Sequence, residues 1–195
     1  MGTGKPNRVK RILMKFGIAK LKARVLIVGL CNSGKTTIVR ALAKQRTDEA
    51  APTTGFEVET FKMNGKAGKV KLTTFDMSGD PKYQSLWQSF YEGANGVVFV
   101  VDAANAAQFG EAKSTLWGIM EKAPKALPVL VLVNKADLPA SLSPLEVAHA
   151  LGIDAPDGGG APAGRRVGVK GCSGAQNQGL DDAFAWMTKS IRAAL

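Results

Sequence analysis

The sequence predicts an α/β fold: a six-stranded, mostly parallel sheet with one antiparallel hairpin and helices on both faces. Three observations predict it. Strand-length apolar runs alternate with helix-length segments along the chain, the pattern of a doubly wound domain. A glycine-rich stretch from Gly29 to Thr36 follows a β-branched run and opens a helical pattern. Asn64-Gly65 falls between two strand-like runs, a tight-turn signal that makes one neighbouring pair antiparallel.

In chain order, the strand-like runs are 25–29, 56–63, 70–75, 97–102, 128–134 and 166–170. Helical patterns follow Gly34, Asp80, Asn105, Ser143 and Gly179. The last is the clearest. Leu180, Phe184, Met187 and Ile191 recur on one helical face, with Asp181 and Asp182 in the first turn and Lys189 and Arg192 in the last. Those charges match the helix dipole at both ends. The stretch 154–164, with three consecutive glycines and two prolines, has no packing face and reads as a loop, a tolerated surface insertion. His149 reads as a solvent-facing or structural residue, and Trp117 and Trp186 as core.

With 195 residues, 45% hydrophobic and 22% charged, the chain has the composition of one globular domain and not of a disordered one. No apolar run approaches the roughly 20 residues of a membrane span. Two cysteines, Cys31 and Cys172, cannot make a disulfide framework and are expected in a reducing, cytoplasmic setting. Cys172 has no His or Cys at ligand spacing, so no metal site is expected there. The net charge of +10 is lopsided: residues 1–47 hold twelve basic side chains and no acidic one. The rest is near neutral, so the basic excess belongs to the N-terminal stretch.

Gly29-Leu30-Cys31-Asn32-Ser33-Gly34-Lys35-Thr36 satisfies G-x-x-x-x-G-K-[ST] in strand–loop–helix context. Phosphates need converging backbone N–H groups, and a glycine-rich turn at a helix N-terminus supplies them together with a positive dipole end. Asn32, Ser33, Gly34, Lys35, Thr36 and Thr37 are therefore expected to bind a nucleotide, with Lys35 on the β- and γ-phosphates and the Thr36 hydroxyl on Mg²⁺.

The base is chosen elsewhere. Asn134-Lys135-Ala136-Asp137 follows an apolar strand about 100 residues later, at the carboxyl edge where α/β sheets bind ligands. The Asp137 carboxylate can accept from guanine N1–H and its 2-amino group, whereas adenine would leave the charge unpaired. Asp76-Met77-Ser78-Gly79 ends the third strand as D-x-x-G. Asp76 suits a carboxylate acting on Mg²⁺ through water, and the Gly79 N–H suits the γ-phosphate. Pro52-Thr53-Thr54-Gly55-Phe56 lies between, where one threonine can close over the metal.

Together, GLCNSGKTT, PTTGFEVET, DMSGD, NKAD and GLDDAFAWM resemble the Arf and Arf-like branch of the Ras-superfamily small GTPases, over residues 20 to 193. The resemblance implies a P-loop NTPase of the Ras-like type, a G domain over 21–195, that binds GTP/GDP with Mg²⁺. It implies Thr53 as the switch I threonine on the metal and Ser173 in the loop that meets guanine O6. Phe56, Phe75 and Phe90 would form the effector surface, although plain core packing explains three phenylalanines equally well. DMSGDPKYQSLWQSFYEG is similar to the Bardet–Biedl-associated group within that branch. This implies recruitment of a coat complex, the BBSome, to membranes in ciliary trafficking, with an exchange factor and an activating protein as further partners.

Two departures bear on chemistry. Cys31 stands where Arf proteins commonly have aspartate. Asp80 stands where the family has the glutamine that orients the attacking water, so catalysis of GTP hydrolysis is expected to be slow. The alternative function is a GTP-binding membrane scaffold with negligible hydrolysis. Residues 1–20 read as a basic amphipathic helix, with Val9, Ile12, Leu13 and Phe16 on one face, suited to an anionic membrane surface. Pro6 argues against acylation of Gly2, and the C-terminal residues Arg192 to Leu195 lack a prenylation cysteine. No aromatic platform accompanies the lysines, so nucleic acid is not an expected partner. The G domain is expected to be monomeric, at a peripheral membrane site such as the ciliary base.

Overall fold

The computed structural model describes residues 21–44, 53–65, 68–153, 162 and 164–195. The expected helix over 1–20, Pro52 and nearly all of the 154–164 loop lie outside the described residues. Six strands, β1 (Leu21–Val28), β2 (Phe56–Gly65), β3 (Gly68–Met77), β4 (Gly96–Asp102), β5 (Val129–Asn134) and β6 (Val167–Gly171), form one sheet in the order β2-β3-β1-β4-β5-β6. Only β2 and β3 run antiparallel. Five helices, α1 (Lys35–Leu42), α2 (Gln84–Tyr91), α3 (Phe109–Lys122), α4 (Pro144–Ala150) and α5 (Leu180–Ala193), begin at or one short turn after the expected positions.

The period-two alternation of the strands divides the core into two layers. Leu26, Val28, Val97, Phe99, Val129 and Val131 face α2, α3 and α4. Val25, Ile27, Val98, Val100, Leu130 and Leu132 face α1 and α5. Strands β4 and β5 are buried on both faces, which is why they read as unbroken apolar runs. The helical face predicted from 180, 184, 187 and 191 is the one α5 buries. Trp117 donates its indole N–H to the Leu151 carbonyl at 2.8 Å, and Trp186 packs on the second layer. His149 is exposed on α4.

Two boundaries differ from expectation for a physical reason. Strand β1 starts at Leu21, because Lys22 and Arg24 alternate outward while Leu21 and Ala23 are buried; the charges mask a true strand. In the β2–β3 ladder, Asn64 pairs with Lys69 and Gly65 with Gly68. The Asn64-Gly65 pair therefore ends the strand instead of making the reversal itself.

The sheet order reverses around β1, whose neighbours are β3 and β4. That is a topological switch point, and ligand crevices form at the carboxyl ends of strands beside one. The 29–34 loop, the end of β3 and the end of β5 all emerge there.

Candidate nucleotide site

The loop after β1 is built to present its backbone. Gly34 has φ 90°, and a Cβ on it would lie 2.3 Å from Asn134 Nδ2. Only glycine permits that approach. Asn134 is buried and donates to the Ser33 carbonyl at 2.8 Å, while its Oδ1 accepts from Gly174 N–H at 2.9 Å. One side chain from the 134–137 tetrapeptide thus ties together the loop after β1 and the loop after β6. The helical bond Ile38 N–H to Gly34 O opens α1. The preceding amides of Lys35, Thr36 and Thr37 have no intrahelical acceptor, which leaves them for an anion.

Lys35 is buried, and its ammonium donates to the Leu30 carbonyl at 2.8 Å, spanning the loop. Burial pushes its pKa down, and the nearby Asp76 carboxylate opposes that shift. Thr36 Oγ1 lies 2.9 Å from Thr53 Oγ1 and donates to Asp76 Oδ2 at 2.7 Å. Burial raises the Asp76 pKa, and the hydrogen bond from Thr36 opposes it. The second oxygen, Asp76 Oδ1, is buried with no partner. Two hydroxyls and a carboxylate with an orphaned oxygen form a hard oxygen donor set, which fits Mg²⁺ with retained waters. Ser33 Oγ is likewise buried and unpaired beside this loop.

Gly79 closes the site from the other side. A Cβ there would lie 2.5 Å from the Leu30 carbonyl carbon and 2.6 Å from Cys31 N, so the end of β3 rests directly on the phosphate loop. The adjoining Ser78 is buried, and its carbonyl accepts from the Trp87 indole at 3.3 Å. Asp80 then caps a 3₁₀ turn, Pro81–Tyr83. Its carboxylate accepts from Lys82 N–H at 3.0 Å and pairs with the Lys82 ammonium at 3.2 Å. The backbone N–H of Lys82 holds its pKa below the usual carboxylate range.

Asp137 is exposed at the crevice mouth, with Lys135 half-buried. Sequence reasoning missed the partner that holds Lys135: Asp102, at the end of β4, accepts from its ammonium at 2.6 Å. The signal was available, since a buried carboxylate ends an otherwise apolar central strand. In the loop after β6, the residue expected to meet the base was Ser173. Ser173 spends its N–H on the Gln178 carbonyl at 3.0 Å, and its hydroxyl accepts from Gln176 N–H. The amide turned toward Asn134 is Gly174's.

The three phenylalanines meet. Phe90 packs on Phe56 at 5.2 Å and on Phe75 at 5.3 Å between ring centroids. Phe56 is 45% exposed, so the cluster is a surface feature that leans on the core.

A model of the ADP-ribosylation factor family matches residues 9–191. The chain belongs to that family. It is 33% identical over 144 residues to ADP-ribosylation factor-like protein 6 of Caenorhabditis briggsae, covering 71% of this chain and 74% of that protein. It is 30% identical to ADP-ribosylation factor-like protein 2 of Arabidopsis thaliana, covering 94% and 95% respectively. Among solved structures, the Arl6 BBS3 small GTPase of Trypanosoma brucei with bound nucleotide analogue GppNp matches with a TM-score of 0.75 and 26% identity. That match spans 89% of this chain and 99% of the other. As a member of this family, the protein is an Arf-like small GTPase, a nucleotide-binding switch that takes GTP or GDP with Mg²⁺.

Proposed function

We propose that this switch recruits a coat complex of the BBSome kind to membranes while GTP is bound, in ciliary trafficking. Support comes from the similarity to ADP-ribosylation factor-like protein 6 and from the aromatic cluster beside the site. In this reading Thr53 and Gly79 order the switch segments around the γ-phosphate, and loss of that phosphate releases them. Lys35 would neutralise phosphate charge, and Thr36, Thr53 and Asp76 would hold Mg²⁺, which would offset the charge of the phosphates, with Asp76 acting through water. Phe56, Phe75 and Phe90 are the surface a partner reads. Residues 1–20 anchor the protein on anionic lipid.

The observation that carries the nucleotide assignment is the meeting of Thr36, Thr53 and Asp76, with one buried carboxylate oxygen left over. Asp137 selects guanine. Replacing it in Asp137→Ala removes a charge-assisted bidentate contact, on the order of 2–4 kcal/mol, or roughly 30- to 1000-fold in GTP affinity. Fluorescent-nucleotide titrations against GTP and ATP test this. Unchanged GTP affinity in the variant overturns the base assignment.

A second reading is a GTP-bound scaffold that scarcely hydrolyses. It is favoured by one observation: the Asp80 side chain is committed to the 3₁₀ turn and to Lys82.

A further inference from the structure

The sheet register places a row of like charges on an uncovered face. Lys22 on β1 pairs with Lys71 on β3, and Lys71 pairs with Lys62 on the edge strand β2. Paired positions point to the same side of a sheet. The next row, Arg24, Thr73 and Thr60, lies on that same side. Farther along come Leu26, which is buried, Phe75, which packs against the core, and Val58, which is exposed. Lys22, Arg24 and Lys62 are exposed, and Lys71 is half-buried.

Strands lie about 4.8 Å apart, so three ammonium groups share roughly 10 Å of surface. Like charges directly opposite destabilise a sheet. The Lys82–Asp80 and Lys135–Asp102 ion pairs both lie away from this row. The row is thus a cost to the fold that an external anionic surface would offset.

Its position indicates which surface. The row sits at the amino end of β1, one residue from where the basic segment 1–20 joins the sheet. The phosphate loop leaves the other end of β1, about 20 Å away at 3.3 Å per residue. We propose that the Lys22–Lys71–Lys62 row is a second membrane contact, one that seats the sheet end against anionic lipid headgroups alongside residues 1–20. The folded domain then docks at a fixed tilt, with the nucleotide crevice directed away from the bilayer. This rests on the membrane role proposed for residues 1–20, but it concerns different residues and is separable from that role.

The test uses the full chain with phosphatidylcholine vesicles, with and without phosphatidylserine, at graded salt. Neutralising the row in Lys22→Gln/Lys62→Gln/Lys71→Gln should weaken binding to the anionic vesicles by about fivefold per lysine, roughly 100-fold in all. It should also flatten the salt dependence, with nucleotide affinity unchanged, and the Lys→Arg triple should retain binding. A single charge reversal, Lys71→Glu, serves as the second variant. It sets a carboxylate between two lysines, so it should raise the melting temperature while lowering vesicle binding. A merely structural role predicts no such opposition.

If Phe16→Glu abolishes binding but the lysine variants do not weaken it, residues 1–20 act alone and the row is no contact. If neither change matters, both membrane assignments fall. If the lysine variants keep vesicle binding but lose affinity for poly-glutamate, the face serves an acidic protein and the proposal is wrong.

Discussion

Asp80 shows how one residue can be legible in type and illegible in use. Its place after D-x-x-G marked it as a substitute for the family's glutamine, but its hydrogen bonds to Lys82 could not be read from composition or spacing. A glutamine amide can donate toward phosphate while accepting from water. An ionised carboxylate has no proton to donate, and this one is already engaged by Lys82. Single-turnover GTP hydrolysis should therefore be faster in Asp80→Gln, by about 100-fold, the lower end of what one donor to developing negative charge contributes. The same change gives up the turn cap, so melting should occur at a lower temperature. A variant that hydrolyses no faster shows that Asp80 does not limit this site.

The two cysteines behave oppositely for reasons of burial. Cys31 is exposed on the phosphate loop, whereas burial pushes the Cys172 thiol up to about 12, with the Asp137 carboxylate adding to the shift. A thiol held protonated is a poor nucleophile. Brief alkylation of the native protein near pH 8 should label Cys31 and spare Cys172, as peptide mass spectrometry would show. Equal labelling of both residues contradicts the burial described for Cys172.

Helix starts were legible wherever a local device makes them. Ser143 and Glu146 form a reciprocal capping box, with Ser143 N–H donating to Glu146 at 2.8 Å and Glu146 N–H to Ser143 Oγ at 3.3 Å. Glycine turns announce α1 and α5 in the same way. The end of α3 was not legible, because its cap comes from far along the chain. Arg165 is buried, and its guanidinium donates to the carbonyls of Met120, Ala123, Pro124 and Leu127. No local pattern pairs residue 165 with 120–127. This staple also holds the entrance to β5, since Leu127 precedes Val129. Arg165→Ala should destabilise the domain by about 3 kcal/mol, because it strands buried carbonyls. Arg165→Lys should recover only part of that loss, since one ammonium cannot reach all four. Urea unfolding measures both, and an unaltered midpoint in Arg165→Ala removes the staple from the stability account.

At the scale of the whole molecule, the motifs were readable because a phosphate, a metal and a guanine would each demand particular groups, and those groups stand at particular strand ends. What joins them was not, since Asn134, Gly174, Lys135 and Asp102 meet only when β4, β5 and β6 lie side by side. The consequence is a site shared by loops from most of the sheet. Its unfilled groups, including Asp76 Oδ1 and Ser33 Oγ, cost stability until a ligand satisfies them. A ligand that binds only the folded state stabilises by RT ln(1 + [L]/Kd), about 2.7 kcal/mol at a hundredfold excess over Kd. For a domain of this size each kcal/mol shifts melting by about 2–4 °C, so saturating GDP with Mg²⁺ should raise the midpoint by roughly 5–10 °C. Chelating Mg²⁺ should reverse most of the gain, and ATP at equal concentration should give little. In Asp76→Asn the carboxylate proposed to help hold the metal is gone, so the Mg²⁺-dependent part of the shift should vanish while a smaller, metal-independent shift from the phosphate loop remains. A full Mg²⁺-dependent shift in that variant would mean that the metal is held without Asp76.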